Sequence, residues 1–100
     1  MWVQVENGAT IGKIGSEEGI IILDEEYTNG ARITLEKAGV TAPWSITCGG
    51  YGLFMHTSFQ STESDSRKTY KKMKKELESI MNESDSETAY KMIKDFCDRY

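Results

Sequence analysis

The chain has few of the residues from which catalytic and metal sites are usually built. It contains one His (His56), one Pro (Pro43) and two Cys (Cys48 and Cys97) among 100 residues. No Cys-x-x-Cys or His-x-x-x-His pair is present, and two separated thiols build neither a structural zinc site nor a disulfide framework. We therefore expect no metal, no other cofactor and no disulfide scaffold, with both thiols packed as small apolar groups.

Long apolar runs are missing as well. The longest wholly apolar run is Ile20–Leu23, which is far too short to cross a membrane. The first residues lack the basic start and apolar stretch of a secretory signal. We expect a cytoplasmic protein that makes no membrane contact and folds as a single domain over residues 1–100.

Charge is missing from one long segment. Residues 38–62 contain no Asp, Glu, Lys or Arg, in a protein that is 28% charged. Residues 1–60 carry three basic and seven acidic side chains, whereas residues 67–75 carry six basic ones. An uncharged segment of this length predicts the middle of the core, with a neutral polar surface left over for binding.

The hydrophobic pattern changes once, near residue 60, from period two to period 3.6. In the first part, Asn29-Gly30 indicates a three-residue hairpin loop that pairs Tyr27 with Ala31 and Glu26 with Arg32, the latter as an ion pair. Asn7-Gly8 indicates a similar turn. Six strands are predicted, over residues 2–6, 9–14, 19–27, 31–38, 44–48 and 53–59.

The last part predicts two amphipathic helices, over about 62–82 and 85–99. The fold class is therefore α+β: an antiparallel meander sheet of about five to six strands (residues 2–59), followed by two C-terminal helices packed on one of its faces. The apolar face of residues 89–100 is wide enough for a homodimer contact. We favour packing within the chain, because apolar faces of this size are rarely left exposed.

The uncharged hairpin has two predicted faces. If Cys48 lies opposite Leu53, the core face carries Trp44, Ile46, Cys48, Leu53, Met55 and Phe59. The other face then presents a neutral set with an aromatic ring, which suits an interface core. This predicted binding set is Ser45, Thr47, Phe54, His56 and Ser58, with Tyr51 at the hairpin tip. Burial of both faces is the alternative explanation for the missing charge.

The same register argues against catalysis. It places Cys48 and His56 on opposite faces, which separates a thiol from its base. It places Ser45 opposite His56, but no carboxylate lies in the hairpin to orient the imidazole. We expect a non-enzymatic protein.

Three functions are compatible with the sequence. The first is binding of a protein partner, as a small bacterial or phage accessory or inhibitor-like factor. The second is a small-molecule or enzymatic site on the sheet around Ser45, Tyr51 and His56. The third is nucleic-acid binding through the basic helix, which the net charge of -4 disfavours. The residues of that helix are Arg67, Lys68, Lys71, Lys72, Lys74 and Lys75.

Overall fold

The computed structural model describes residues 1–100 as one sheet of five strands followed by two helices. The elements are β1 (Trp2–Gln4), β2 (Ile20–Tyr27), β3 (Ala31–Lys37), β4 (Trp44–Gly50), β5 (Phe54–Gln60), α1 (Glu63–Met81) and α2 (Ser86–Arg99). The sheet order is β1-β2-β3-β4-β5, and each neighbouring pair is antiparallel. The predicted α+β class, with a meander sheet and two C-terminal helices, is confirmed.

The β2–β3 hairpin has the predicted register. Tyr27 lies opposite Ala31 and Glu26 lies opposite Arg32. Gly30 has φ of +103°, a left-handed value that glycine adopts without steric cost, and it closes the three-residue loop. The strongest turn signal in the sequence therefore fixes this part of the sheet.

Both helices begin at side-chain caps. The Thr62 hydroxyl accepts a hydrogen bond from the backbone N–H of Asp65 at 3.1 Å, and the Asp85 carboxylate accepts one from Thr88 at 3.0 Å. Such caps satisfy N–H groups that have no partner within the helix. The helix bounds agree with the prediction to within one residue at each end.

The core lies between the helices and one face of the sheet. Phe96 anchors α2 there with 0% exposure, its ring centroid 5.9 Å from that of Phe54 and 5.0 Å from that of Tyr100. Met92 is partly buried against the same cluster. The homodimer through residues 89–100 stays a prediction, but it would have to use the part of α2 that the chain leaves exposed. The buried core cluster consists of Ile33, Leu35, Ile46, Cys48, Tyr70, Met73, Leu77, Ile80 and Phe96.

Polar contacts join α1 to β2 on the side of the sheet that the helices cover. Tyr70 donates its hydroxyl hydrogen to Glu25 at 2.7 Å, and Lys74 pairs with the other oxygen of Glu25 at 2.7 Å. Burial, and then the neighbouring Glu25, raise the pKa of Tyr70. The Lys74 ammonium also lies 5.4 Å from the ring centroid of Trp2, within cation–π range.

The predicted strand at residues 9–14 is wrong. Glu6 and Asn7 adopt left-handed conformations with φ of +48° and +55°, so the chain turns at Val5–Gly8 instead of forming a hairpin. Residues 9–19 then form successive turns with one isolated bridge, between Ile14 and Ile20. These turns lie against the sheet face opposite the helices, which we call the open face.

Candidate functional site

The predicted faces of the β4–β5 hairpin are wrong for β5. Cys48 lies opposite His56, not Leu53, and Gly50 pairs with Phe54 around a three-residue loop. The observed register differs from the predicted one by three residues, and a shift by an odd number moves every β5 side chain to the other side of the sheet. Met55 therefore leaves the core face where it was predicted and is 76% exposed.

The corrected register divides the predicted binding set between the two sides of the sheet. Ser45 and Thr47 are on the open face, whereas Phe54, His56 and Ser58 are on the side that the helices cover. The open face carries Asp24, Glu26, Arg32, Thr34, Glu36, Ser45, Thr47, Gly49, Met55, Thr57 and Phe59.

The three helix-side members contact the chain itself. The rings of His56 and Phe96 pack edge to face, with their centroids 6.1 Å apart. The Nε2 atom of His56 is buried without a hydrogen-bond partner. Ser58 is buried and accepts a hydrogen bond from the Gln60 side chain at 2.8 Å. Of the set, only Tyr51 is highly exposed, at 62%, on the hairpin tip.

The geometry also changes the argument about nucleophiles. Cys48 and His56 are direct cross-strand partners, so the predicted separation of this thiol from the imidazole is wrong. Burial, and then the nearby Cys97, raise the pKa of Cys48 to about 12, which keeps it a thiol rather than the reactive thiolate. Ser45 lies opposite Phe59 rather than His56, and its buried hydroxyl has no partner.

The outer edge of β5 is the longest unpaired edge of the sheet. β5 has seven residues, Phe54–Gln60, none of them charged and none of them Pro. Apart from the pairing with β4, no backbone hydrogen bond reaches residues 54–60. The opposite edge strand, β1, has only three residues. A long edge without Lys, Pro or a bulge is a template for pairing with another strand.

Exposed apolar side chains accompany this edge on the open face. Met55 and Phe59 both stand on β5 and are exposed, while Thr57 between them forms a hydroxyl contact with Thr47 at 3.3 Å. The loop residues Tyr51 and Leu53 are also exposed. The unpaired backbone and the exposed apolar side chains thus occupy the same strand and its loop. We call the outward backbone of residues 54–60 the β5 edge.

An ion pair organises the middle of the open face. Arg32 Nε donates to Asp24 Oδ1 at 3.0 Å and Arg32 Nη2 donates to Asp24 Oδ2 at 2.7 Å, while Thr34 donates to Oδ1 at 2.9 Å. The predicted partner was Glu26, which lies directly opposite Arg32. Arg32 pairs with the diagonal Asp24 rather than with Glu26, because two parallel hydrogen bonds to one carboxylate match the geometry of the guanidinium.

The same contacts set the charge state of Asp24, whose side chain is fully buried. Burial alone would raise its pKa, but hydrogen bonds, first of all from Arg32, hold the pKa below its ordinary value of 3.8. Thr10 also faces this carboxylate and contributes to the lower pKa, although its hydroxyl lies outside normal hydrogen-bond geometry. Asp24 is therefore an ionised counter-charge that orients Arg32.

A second buried carboxylate shapes the loop beside the open face. Glu36 accepts hydrogen bonds from the backbone N–H groups of Glu17 at 3.2 Å and Gly19 at 3.0 Å. Gly15 packs so closely that an added Cβ would lie 2.4 Å from the Glu36 carboxyl carbon. Residues 15–19 are thus folded around this carboxylate.

The basic helix is only partly free. Arg67 pairs with Glu63 at 2.9 Å, and Lys74 is held by Glu25. The four remaining lysines are exposed and lie at i, i+3, i+4 and i+7, which places them on one side of α1. They are Lys68, Lys71, Lys72 and Lys75.

No protein family, curated protein or solved structure matches this chain. No group of three or more His, Cys, Asp or Glu side chains is arranged to hold a metal ion, and neither helix is long and apolar enough to cross a membrane.

Sequence reasoning missed Asp24 as the partner of Arg32, and it missed the exposure of Met55 and Phe59 on β5. Asp24 and Arg32 carried a signal, since a charged residue in an apolar strand needs a partner when it is buried. Met55 and Phe59 carried none, because apolar residues occupy both alternating sets of β5.

Proposed function

We propose that this chain is a non-enzymatic binding protein that receives an extended segment of a protein partner along the β5 edge. The observation that carries the proposal is the combination of seven uncharged residues, an unpaired outer backbone and exposed apolar side chains on one strand. Strand addition to a sheet edge gains its affinity from backbone hydrogen bonds and its specificity from alternate side chains.

The surroundings define the chemistry of the partner segment. Its side chains on the open face would meet Met55 and Phe59, so apolar residues are favoured at alternate positions. No charge lies on β5 to select a charged segment or to repel a second strand. An accessory or inhibitor-like role would follow from occupying such a segment of another protein.

The other functions have different support. The small-molecule or enzymatic site around Ser45, Tyr51 and His56 has no common surface, because His56 lies on the helix side of the sheet and Ser45 is on the open face.

Nucleic-acid binding is supported by one observation, the one-sided stripe of Lys68, Lys71, Lys72 and Lys75. Its test is retention on single- and double-stranded DNA and RNA. Binding that weakens steeply with salt and is lost in a Lys71→Gln, Lys72→Gln variant would support it.

Selection from a random peptide library tests the main proposal. Peptides selected on the wild-type protein should show alternating apolar residues and should lose binding to Phe59→Lys, because edge lysines oppose strand addition. Tyr90→Lys is the matched control, since Tyr90 is 66% exposed on α2 and away from the edge. Peptides that bind both variants equally would refute the β5 edge as the binding surface. Self-association lost only in Phe59→Lys would identify the partner as a second copy.

A further inference from the structure

A cleft of about 600 Å³ opens on the open face of the sheet. Its walls come from residues 6–16 and the hairpin tip 49–52, and its floor comes from β3 and β4. The floor has a gap where Gly49 stands between Arg32 and Met55 in one cross-strand row, since Gly49 contributes no side chain there. Arg32 consequently faces open space on the side toward Met55.

Arg32 is prepared for a ligand by the group behind it. Asp24 occupies Nε and one N–H of Nη2, which leaves Nη1 and the second N–H of Nη2 without a protein hydrogen bond. The Arg32 side chain is 41% exposed, whereas Asp24 is fully buried and does not line the cleft. A guanidinium held by a bidentate contact on one edge presents a fixed, planar set of donors on the other.

Tyr51 adds a second polar group at the mouth of the cleft. Its side chain lines the same cleft as Arg32 and contributes, after Asp24, to the raised pKa of the guanidinium, although no hydrogen bond of normal geometry joins the two side chains. Ile14 and Met55, both largely exposed, supply apolar walls. The cleft therefore combines a few convergent donors with apolar surface, the usual composition of a small-ligand site.

We propose that this cleft binds a carboxylate attached to an apolar body, with the free edge of Arg32 as its anchor and the Tyr51 hydroxyl as a further donor. Carboxylate geometry matches two parallel N–H groups of a guanidinium. The site shares the Met55 side chain with the surface beside the β5 edge, but its anchor lies on β3 and it does not depend on the proposed function.

The other charges around the cleft do not block an anion. Lys13 and Glu6 stand in the wall with opposite charges, and the Glu36 carboxylate is occupied by the N–H groups of Glu17 and Gly19. Glu6 is the one exposed carboxylate in the lining. We expect Glu6→Gln to strengthen binding of an acid and Lys13→Gln to weaken it, each by less than a change at Arg32.

The experiment measures the binding of three probes to the full chain by NMR and calorimetry. They are 3-phenylpropionate, the capped peptide acetyl-Ala-Val-Leu with a free carboxylate, and the same peptide as its C-terminal amide. The acid peptide should bind at least about tenfold more tightly than the amide, which corresponds to one charge-assisted hydrogen bond. Binding of 3-phenylpropionate as well would point to small organic acids, whereas its absence would point to a polypeptide C-terminus.

Variants separate the anchor from the fold. Arg32→Lys keeps the positive charge beside Asp24 but removes the planar pair of N–H donors that a guanidinium offers. Tyr51→Phe removes an exposed hydroxyl without disturbing the core. Both should weaken the acid probes severalfold or more. Lys94→Gln, at an exposed position of α2 outside the lining of the cleft, is the control and should leave binding unchanged.

Two results would overturn the proposal. One is equal affinity for acid and amide; the other is acid binding that Arg32→Lys and Tyr51→Phe leave unaltered. Phe59→Lys distinguishes this site from the β5 edge, because it should abolish strand addition while leaving acid binding intact. Loss of acid binding in Phe59→Lys, with the fold preserved, would contradict a separate cleft.

Discussion

Replacement of Phe96 by Ala tests whether α2 is the element that closes the core over β5. Phe96 is fully buried and its ring meets three others, those of Phe54, His56 and Tyr100. Truncating a buried Phe costs about 3–5 kcal/mol through lost burial and the cavity left behind. We expect about 4 kcal/mol here, because edge-to-face aromatic contacts are lost with the apolar area.

The assay is urea unfolding followed by the fluorescence of Trp2 and Trp44. A domain of this size has a free energy of unfolding of about 5–15 kcal/mol, so Phe96→Ala should move the midpoint strongly without changing the slope. Tyr90→Ala, on the exposed side of α2, is the matched control and should stay within about 0.5 kcal/mol of wild type. A loss below about 1 kcal/mol for Phe96→Ala would refute the packing of α2 over β5.

Three further predictions follow from the open face and the hairpin. Phe54→Ala should destabilise the protein by about 2 kcal/mol, whereas Met55→Ala should destabilise it by under about 0.5 kcal/mol. If urea unfolding gave the reverse order, the register predicted from the sequence, with Met55 in the core, would be favoured instead. Asp24→Asn should lower the free energy of unfolding by about 2 kcal/mol at pH 7. This loss is smaller than for a fully buried ion pair, because Arg32 is partly exposed to solvent. Since the folded-state pKa of Asp24 is depressed, this difference should be complete above pH 3.8 and shrink as the pH falls below it; a constant difference would contradict the ion pair. Gly49→Ala should destabilise by about 1–3 kcal/mol, because its Cβ would lie 2.4 Å from the Phe54 carbonyl oxygen, and an unchanged midpoint would argue against this close approach.

Local signals predicted the parts of the fold that depend on neighbouring residues. Asn29-Gly30 determines the β2–β3 register because a left-handed Gly30 suits one loop length. The hydrophobic period of 3.6 predicts the helix bounds to within one residue for the same kind of reason, because it depends on residues within the same helix. These features need no knowledge of distant packing.

The register of β5 depends on contacts that the local pattern does not contain. Glycines at 49, 50 and 52 permit both a three-residue and a four-residue loop, and apolar residues at Phe54, Met55 and Phe59 occupy both faces. The choice is made by Phe96, some forty residues away, which packs on Phe54 and His56. The predicted binding surface was divided for this reason, because a register shift by an odd number of residues exchanges the faces.

The structure of the N-terminal segment could not be predicted from the sequence for a different reason. Residues 9–14 have the composition of a strand, but left-handed conformations at Glu6, Asn7 and Gly12 turn the chain repeatedly. The Glu36 carboxylate holds residues 17–19 by backbone hydrogen bonds. A buried carboxylate that organises a distant loop has no periodic signature in the sequence.

Hydrogen exchange at the β5 edge tests the proposed function most directly. In the free protein, the outward amides among residues 54–60 should exchange rapidly, because no backbone acceptor reaches them. With a selected peptide bound, these amides should become protected while those of α1 keep their rates. Protection confined to α1 or to the cleft, with the outward amides of β5 still exchanging freely, would contradict binding by strand addition.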